Sequence, residues 1–267
     1  MENLSVIIPC YNDKDIQRTV DDIRAKAKGD IEIIVVLDGV HQEVRNAIVL
    51  ENTKQLGMRG SINKGVATSK GKWLMKCDAH CIFDEGFDVK ILSNIETNWI
   101  VIPRRYKLDT DQWEVMDESP IDYERLYIDN PEKIGGIEWK SRTKERHDIL
   151  IDETMVFQGS CWFMSREHWD SLGDLQEEGY GTFTQEPIEL ALKTWLGGGK
   201  VMVNKKTWYA HKHRKFGRTT VNLSGSEEIK NGNKYSKDFW LSDKWDKRIH
   251  DLKWLMERFG LEYKPAL

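Results

Sequence analysis

The apolar residues of the first eighty positions fall in short unbroken runs and do not alternate with polar ones. Residues 4–8 are stopped by Pro9, residues 31–37 by Asp38 and Gly39, and residues 73–77 by Asp78, Ala79 and His80. Runs of this length, rich in β-branched residues and ended by turn formers, predict strands buried on both faces. Between the first two runs, Ile16, Val20, Ile23 and Ala27 recur at helical spacing behind Asp13 or Asp15, either of which could cap the helix. Gly29 and Asp30 make a turn into the second strand. Strand, helix, strand at this spacing is a βαβ unit, so the sheet should be parallel. Residues 57–69 read as a loop with a short helix, and Gly71 turns the chain into the third strand. Ligands of open α/β sheets sit beyond the carboxyl ends of the strands, so three polar strand ends predict one shared crevice.

The pattern then loosens. Residues 98–103 form a further strand, and 104–155 read as irregular and strongly polar, with Pro120, Pro131, Gly135 and Gly136. Residues 158–164 turn apolar again, and Ser165 caps a short helix ended by Gly173. Gly179, Tyr180 and Gly181 mark a turn. Glu186 and Pro187 open a helix through Trp195, closed by three glycines. Residues 200–203 are a short strand. Residues 217–237 should be mobile. Ser242 caps a final amphipathic helix with Trp245, Ile249, Leu252, Leu255 and Phe259 on one side. The fold class is therefore α/β: a mostly parallel central sheet flanked by helices, with a C-terminal helical extension.

Composition narrows the class. With 39% hydrophobic and 31% charged residues in 267 positions, the chain reads as soluble and globular, and no run approaches a membrane span. Four cysteines without a CxxC pair, in a chain with no visible signal peptide, read as reduced thiols in a cytosolic protein. Cys77 and Cys81 are core filler or soft ligands. The net charge of −4 hides an asymmetry: from Lys200 onward there are sixteen Lys/Arg and eight Asp/Glu. That basic quarter suggests an anionic partner such as a nucleotide diphosphate or nucleic acid, or else a solvated surface. The eleven tryptophans suit sugar or base stacking, or the core.

Asp78 and His80, two apart at a strand end, fall on the same side of an extended segment. One carboxylate and one imidazole there could hold a divalent cation, or Asp78 could cap the next turn. Glu186 and Glu189, three apart at a helix start, could both face the crevice, or simply favour a helix N-terminus.

Taken in order, the residues become recognisable. Residues 5–12, Val35 to Gly39, Asn63-Lys64-Gly65 and Cys77-Asp78-Ala79-His80 resemble the nucleotide-sugar half of family-2-like glycosyltransferases of the GT-A fold. Asp78-Ala79-His80, Gly159-Ser160-Cys161-Trp162-Phe163, Glu186-Pro187-Ile188-Glu189, Trp195-Leu196-Gly197-Gly198 and His211-Lys212-His213-Arg214 are similar, in the same order, to motifs of polypeptide N-acetylgalactosaminyltransferases. The similarity covers residues 4–216. It implies a catalytic domain over 1–216, with a nucleotide-sugar half (1–103) and an acceptor half (104–216). Residues 217–267 would be a mobile basic loop and a helix packed on that domain. No lectin-like segment is evident.

The resemblance also implies roles. Asp78, His80 and His211 would hold Mn²⁺, or Mg²⁺ next, with His211 favoured over His213 by its offset from Arg214. Pro9, Tyr11, Asn12, Asp38, Arg59, Asn63, Ala79, Trp195 and Arg214 would contact a UDP-sugar. Asp38 would accept from the uracil imide, Tyr11 would stack on the base, and Arg214 would meet the diphosphate. This chain has Leu37-Asp38 where the family has two acids and Ile62 where it often has arginine, so Arg59 would substitute. Gly159, Trp162, Tyr180, Glu186 and Glu189 would line the sugar and acceptor side. Glu186 would be a general base in an inverting enzyme, or would position the acceptor in a retaining one, the outcome the histidine motifs favour. The implied function is transfer of a hexose or N-acetylhexosamine from a UDP-sugar to a hydroxyl of a glycan, a protein Ser/Thr or a hydroxymethylated base of viral DNA. The implied setting is the cytosol of a bacterium or virus-infected cell. A non-catalytic nucleotide- or glycan-binding protein is the reading from another class. A nucleotidyltransferase would want a glycine-rich phosphate loop, which residues 9–13 lack.

Overall fold

Apolar side chains on both faces make β1 (Leu4–Cys10) a central strand: six of its seven residues are buried. The computed structural model describes residues 3–212 and 225–266 of the chain. After β1 come α1 (Ile16–Lys26), β2 (Ile31–Asp38), β3 (Ile48–Asn52), α2 (Gly57–Thr68), β4 (Trp73–Cys77), β5 (Cys81–Phe83) and α3 (Phe87–Leu92). The middle holds β6 (Trp99–Asp109), β7 (Glu114–Val115), β8 (Glu124–Tyr127), β9 (Gly135–Glu138), α4 (Lys140–Glu145) and β10 (Ile151–Glu153). The last part holds β11 (Cys161–Ser165), α5 (Arg166–Leu172), α6 (Glu186–Leu196), β12 (Lys200–Lys212), α7 (Gly225–Leu241) and α8 (Leu252–Arg258).

Among the described residues the main sheet runs β10-β12-β6-β11-β4-β1-β2-β3, with β5 paired to β12 and β7 to β6. The β1, β2, β3 and β4 pairings are parallel, as the βαβ pattern requires. Antiparallel β11 sits between β4 and β6, so the sheet is mixed in its second half. Pro9 ends the ladder to β4 at Ile7↔Lys76, whereas the ladder to β2 runs on to Cys10↔Leu37. Helix α1 buries Ile16, Val20 and Ile23 on the face that the spacing predicts. Helix α2, a full 12 residues long, lies close on β1. A Cβ on Gly65 would come within 2.5 Å of Ile7 Cγ2, which explains the glycine there.

Three expectations change. Residues 104–155 are ordered: β6 continues to Asp109, β8 and β9 form a separate two-stranded sheet, and β10 adds to the main one. The polarity that reads as irregular is paired charge. Arg104 grips Asp122 with two nitrogens, Arg105 meets Glu124 at 2.6 Å, and Arg146 and Arg142 converge on Asp152. Of the expected mobile stretch 217–237, residues 217–224 lie outside the described residues, and the remainder belongs to helix α7. Tyr235 and Trp240 of α7 pack on Tyr180 and Trp245. The final helix starts at Asp251, whose carboxylate accepts from the Trp254 N–H at 2.7 Å. Ser242 instead donates to the Asp238 carbonyl, and Ile249, expected on the buried face, is 69% exposed. All four cysteines are free and buried, and no helix of the described residues is long and apolar enough to cross a membrane.

His168 on α5 is buried, with Nε2 3.0 Å from the Thr194 hydroxyl, and burial pushes its pKa down from 6.5 to about 4. Above pH 6.5 the imidazole is neutral in both folded and unfolded chains and adds nothing. As pH falls from 6.5 towards 4, the unfolded chain takes the proton first and stability is lost. In urea unfolding from pH 7 to 4, wild type should lose about 3 kcal/mol more than His168→Gln.

Candidate active site

β4 delivers Asp78 to the carboxyl edge of the sheet, where its N–H bonds the Ser160 carbonyl at 3.0 Å. The chain then turns, and β5 runs back antiparallel to the far end of β12, placing His211 opposite Cys81. The Lys212 N–H closes the pairing on the His80 carbonyl at 3.2 Å. This return brings His211 beside His80, 131 residues earlier in the chain.

His80 Nε2 and His211 Nε2 are 3.1 Å apart, and His211 Nε2 is 3.1 Å from Asp78 Oδ2. The three ligand atoms lie within 4.8 Å of one another. His80 Nδ1 faces Asp13 Oδ2 at 2.8 Å. A carboxylate on Nδ1 fixes the tautomer that leaves Nε2 a lone pair, the usual arrangement behind a metal-ligating histidine. Burial pushes the His211 pKa down to about 4, against the pull of Asp78, so its imidazole is neutral at neutral pH. One carboxylate oxygen and two imidazole nitrogens converging at this range fit a borderline divalent cation such as Mn²⁺.

Beside this cluster stands Lys76, wholly buried, its ammonium 2.6 Å from Asp78 Oδ1 and bonded to the Gly159 carbonyl. Burial works against both charges, but Lys76, with His211 and His80, holds the Asp78 carboxyl well below the usual carboxylate range. Glu186, at the first turn of α6, lies just beyond. Its Oε1 accepts from Trp162 Nε1 at 2.6 Å, and its Oε2 is buried with no hydrogen-bond partner among the described residues. Burial raises the Glu186 pKa, with Lys76 opposing. A Cβ on Gly159 would collide with Oε2, so the glycine is what lets the carboxylate lie there. Gly159, Trp162 and Glu186 thus lie in contact with one another. Pro9, Tyr11, Asn12 and Ala79 occupy the neighbouring strand ends: Pro9 and Tyr11 are half-buried, Asn12 is exposed, and the Ala79 carbonyl accepts from Thr19.

Other expected site residues serve the scaffold. Asp38 does not stand open to a base. Its carboxylate accepts from the Leu56 and Gly57 N–H groups, at 2.7 and 2.8 Å, and from Asn52, and so pins the start of α2. Arg59 is wholly buried, bonded to the Gln176 and Thr184 carbonyls, ion-paired with Glu189 and stacked on Tyr180. Glu189 turns away from Glu186 to take that charge together with Lys193. Residues three apart on a helix differ by only about 60° in direction, so it is the pull of Arg59 and Lys193 that draws Glu189 aside from Glu186. Asn63 clamps the backbone of Leu175. Tyr180 is core, its hydroxyl accepting from Trp240. Trp195 is core too, its indole donating to the Met155 carbonyl and meeting Phe259 edge-on. Arg214 and His213 lie outside the described residues. Two residues that sequence reasoning passed over belong to the site. Lys76 carried a signal, a lysine inside an otherwise apolar strand; Asp13 read only as a helix cap.

The chain matches the family described as glycosyl transferase family 2 over residues 5–173. It belongs to that family. It is 25% identical over 234 residues to a putative polypeptide N-acetylgalactosaminyltransferase 13 of Drosophila melanogaster, which covers 75% of this chain and 40% of that protein. It is 25% identical over 205 residues to human polypeptide N-acetylgalactosaminyltransferase 18, covering 73% of this chain and 32% of that protein. The chain therefore spans less than half the length of these relatives. The solved structure of GalNAc-T7 with UDP, GalNAc and Mn²⁺ superimposes with a TM-score of 0.69 at 18% identity, over 92% of this chain and 49% of that one. The mannosyltransferase PcManGT of Pyrobaculum calidifontis, solved with GDP-Man and Mn²⁺, gives 0.53 at 14% identity, over 80% and 58%. The fold of this family 2 chain is GT-A.

Asp38→Ala removes three hydrogen bonds and leaves two buried N–H groups open. It should cost about 3 kcal/mol in urea unfolding. Mn²⁺ affinity, measured by calorimetry on the folded variant, should stay unchanged.

Proposed function

We propose that this chain is a metal-dependent glycosyltransferase that moves a hexosyl or N-acetylhexosaminyl group from a UDP-sugar to a hydroxyl acceptor. The observation that carries the reading is the convergence of Asp78, His80 and His211 beside a buried carboxyl group, Glu186, whose Oε2 has no hydrogen-bond partner among the described residues. The relatives' names and the Mn²⁺- and UDP-bound structural neighbour support the same donor and ion. Mn²⁺, or Mg²⁺ in its place, would act as a Lewis acid on the diphosphate as the sugar departs.

The chain's own residues do the rest. Asp13 holds the His80 ring with Nε2 inward, and Lys76 holds Asp78 by one oxygen. Trp162 fixes Glu186 through Oε1, leaving Oε2 to receive a hydroxyl hydrogen of sugar or acceptor. Glu186 acts as a positioning group in the retaining course that the histidine ligands favour, where the leaving phosphate takes the acceptor's proton. Direct proton abstraction by Glu186 would belong to the inverting course. The four buried, unpaired thiols support a reducing compartment, the cytosol of a bacterium or an infected cell. The basic C-terminal quarter offers less to DNA than its composition suggests. Lys200, Lys205, Lys212, Lys237, Lys247 and Arg258 are bonded to acceptors of this same chain. A glycan or peptide hydroxyl is the acceptor that this favours.

Thermal shifts with UDP, GDP, CDP and dTDP, each with and without Mn²⁺, test the reading. UDP with Mn²⁺ should stabilise the wild type, and His80→Ala and His211→Ala should each abolish that shift while His213→Ala keeps it. No Mn²⁺-dependent stabilisation by any nucleotide would refute the proposal. Transfer to hydroxymethylated duplex DNA that falls steeply with salt would restore the DNA acceptor.

A further inference from the structure

Lys76 belongs to none of the motifs through which the chain resembles its relatives, yet it sits at the centre of the site. Along β4 the side chains of Leu74, Lys76 and Asp78 share one face, with Ile7 and Trp162 beside Lys76 in register. The ammonium has no exposure to solvent. A buried charge is tolerated only when partners replace its water. Here they are Asp78 Oδ1 at 2.6 Å and the Gly159 carbonyl, the latter belonging to the residue that packs on Glu186 Oε2. Through that glycine the ammonium stands next to the Glu186 carboxyl group. One cation therefore lies between the carboxylate on the metal side and the carboxylate on the sugar side.

Two consequences follow. Asp78 has one oxygen committed to the ammonium, so only Oδ2, which faces His211, is free for a cation. The negative charge that the ligand set offers is also offset, since the Lys76 ammonium pairs with Asp78 at 2.6 Å. A divalent cation alone gains little from such a set, whereas a cation arriving with a diphosphate brings its own negative charge. We propose that Lys76 is a positioning residue that makes cation loading conditional on the nucleoside diphosphate: it keeps Asp78 a one-oxygen ligand, repels the bare ion and attracts the anionic nucleotide. This inference rests on the metal-dependent reading above.

Lys76→Met keeps the length of the side chain and removes its charge. Calorimetry and Mn²⁺ electron paramagnetic resonance on the full chain should show Mn²⁺ alone binding roughly tenfold tighter. UDP at saturating Mn²⁺ should bind roughly tenfold weaker. A residue that only supports the fold would weaken both together. Parallel weakening, or no change in either, overturns the inference. Circular dichroism monitors folding. If the single variant does not fold, Lys76→Gln, which also removes the charge at similar length, carries the same test with the same opposed shifts expected. A wild type that binds neither Mn²⁺ nor UDP overturns the proposed function and this inference with it. A wild type that binds both, matched by the variant, overturns the inference alone.

Discussion

Three residues of antiparallel pairing between β5 and β12 hold the site together. Strand pairing fixes register, and register fixes which side chains meet. Without the return of residues 81–83 onto β12, Asp78 and His80 would be two polar residues at a strand end with no third partner. With it, the two histidine Nε2 atoms stand 3.1 Å apart, and Asp13, from the loop after β1, orients one of them. The site thus draws on the ends of β1, β4 and β12 and on the start of α6; β1 and β4 are neighbours in the sheet, and β5 carries the chain from β4 across to β12.

Around that pairing the structure invests in buried charge. Lys76, Asp78 and Glu186 form one cluster, and Arg59, Glu189 and Lys193 form a second behind it. The second cluster anchors residues 176–184, the segment leading to Glu186. Helix α7 braces the same segment from outside: Gln176 reaches the Tyr235 hydroxyl, Glu228 accepts from the Thr182 N–H, and Gln185 donates to Asn233. A buried carboxylate with an oxygen that has no partner among the described residues needs a rigid frame, and these contacts supply it. The C-terminal extension is thereby part of the site's support.

Much of the architecture was legible. The apolar runs marked β1, β2 and β4, and the spacing of Ile16, Val20 and Ile23 marked the buried face of α1. Ser165 announced the cap of α5, and its hydroxyl does accept from the His168 N–H. The middle of the chain was misread because charged residues look alike whether solvated or paired, and pairing is a tertiary fact. Asp122 and Asp152 are buried only because arginines far along the chain or across a turn meet them. The same applies to Arg59 and Glu189, whose types suit a ligand site and whose positions serve the core.

Local sequence was enough for β1, β2 and β4 and for their polar ends, since periodicity and turn residues act over a few positions. The ordered motifs were enough to name the family. Tertiary structure alone decided which polar residues meet at the site. It placed Asp13 on His80, drew Lys76 between two carboxylates, and turned Asp38, Arg59, Tyr180, Glu189 and Trp195 into scaffold. The reason is that a side chain's role depends on which partner reaches it first, and the partners of these residues come from distant parts of the chain.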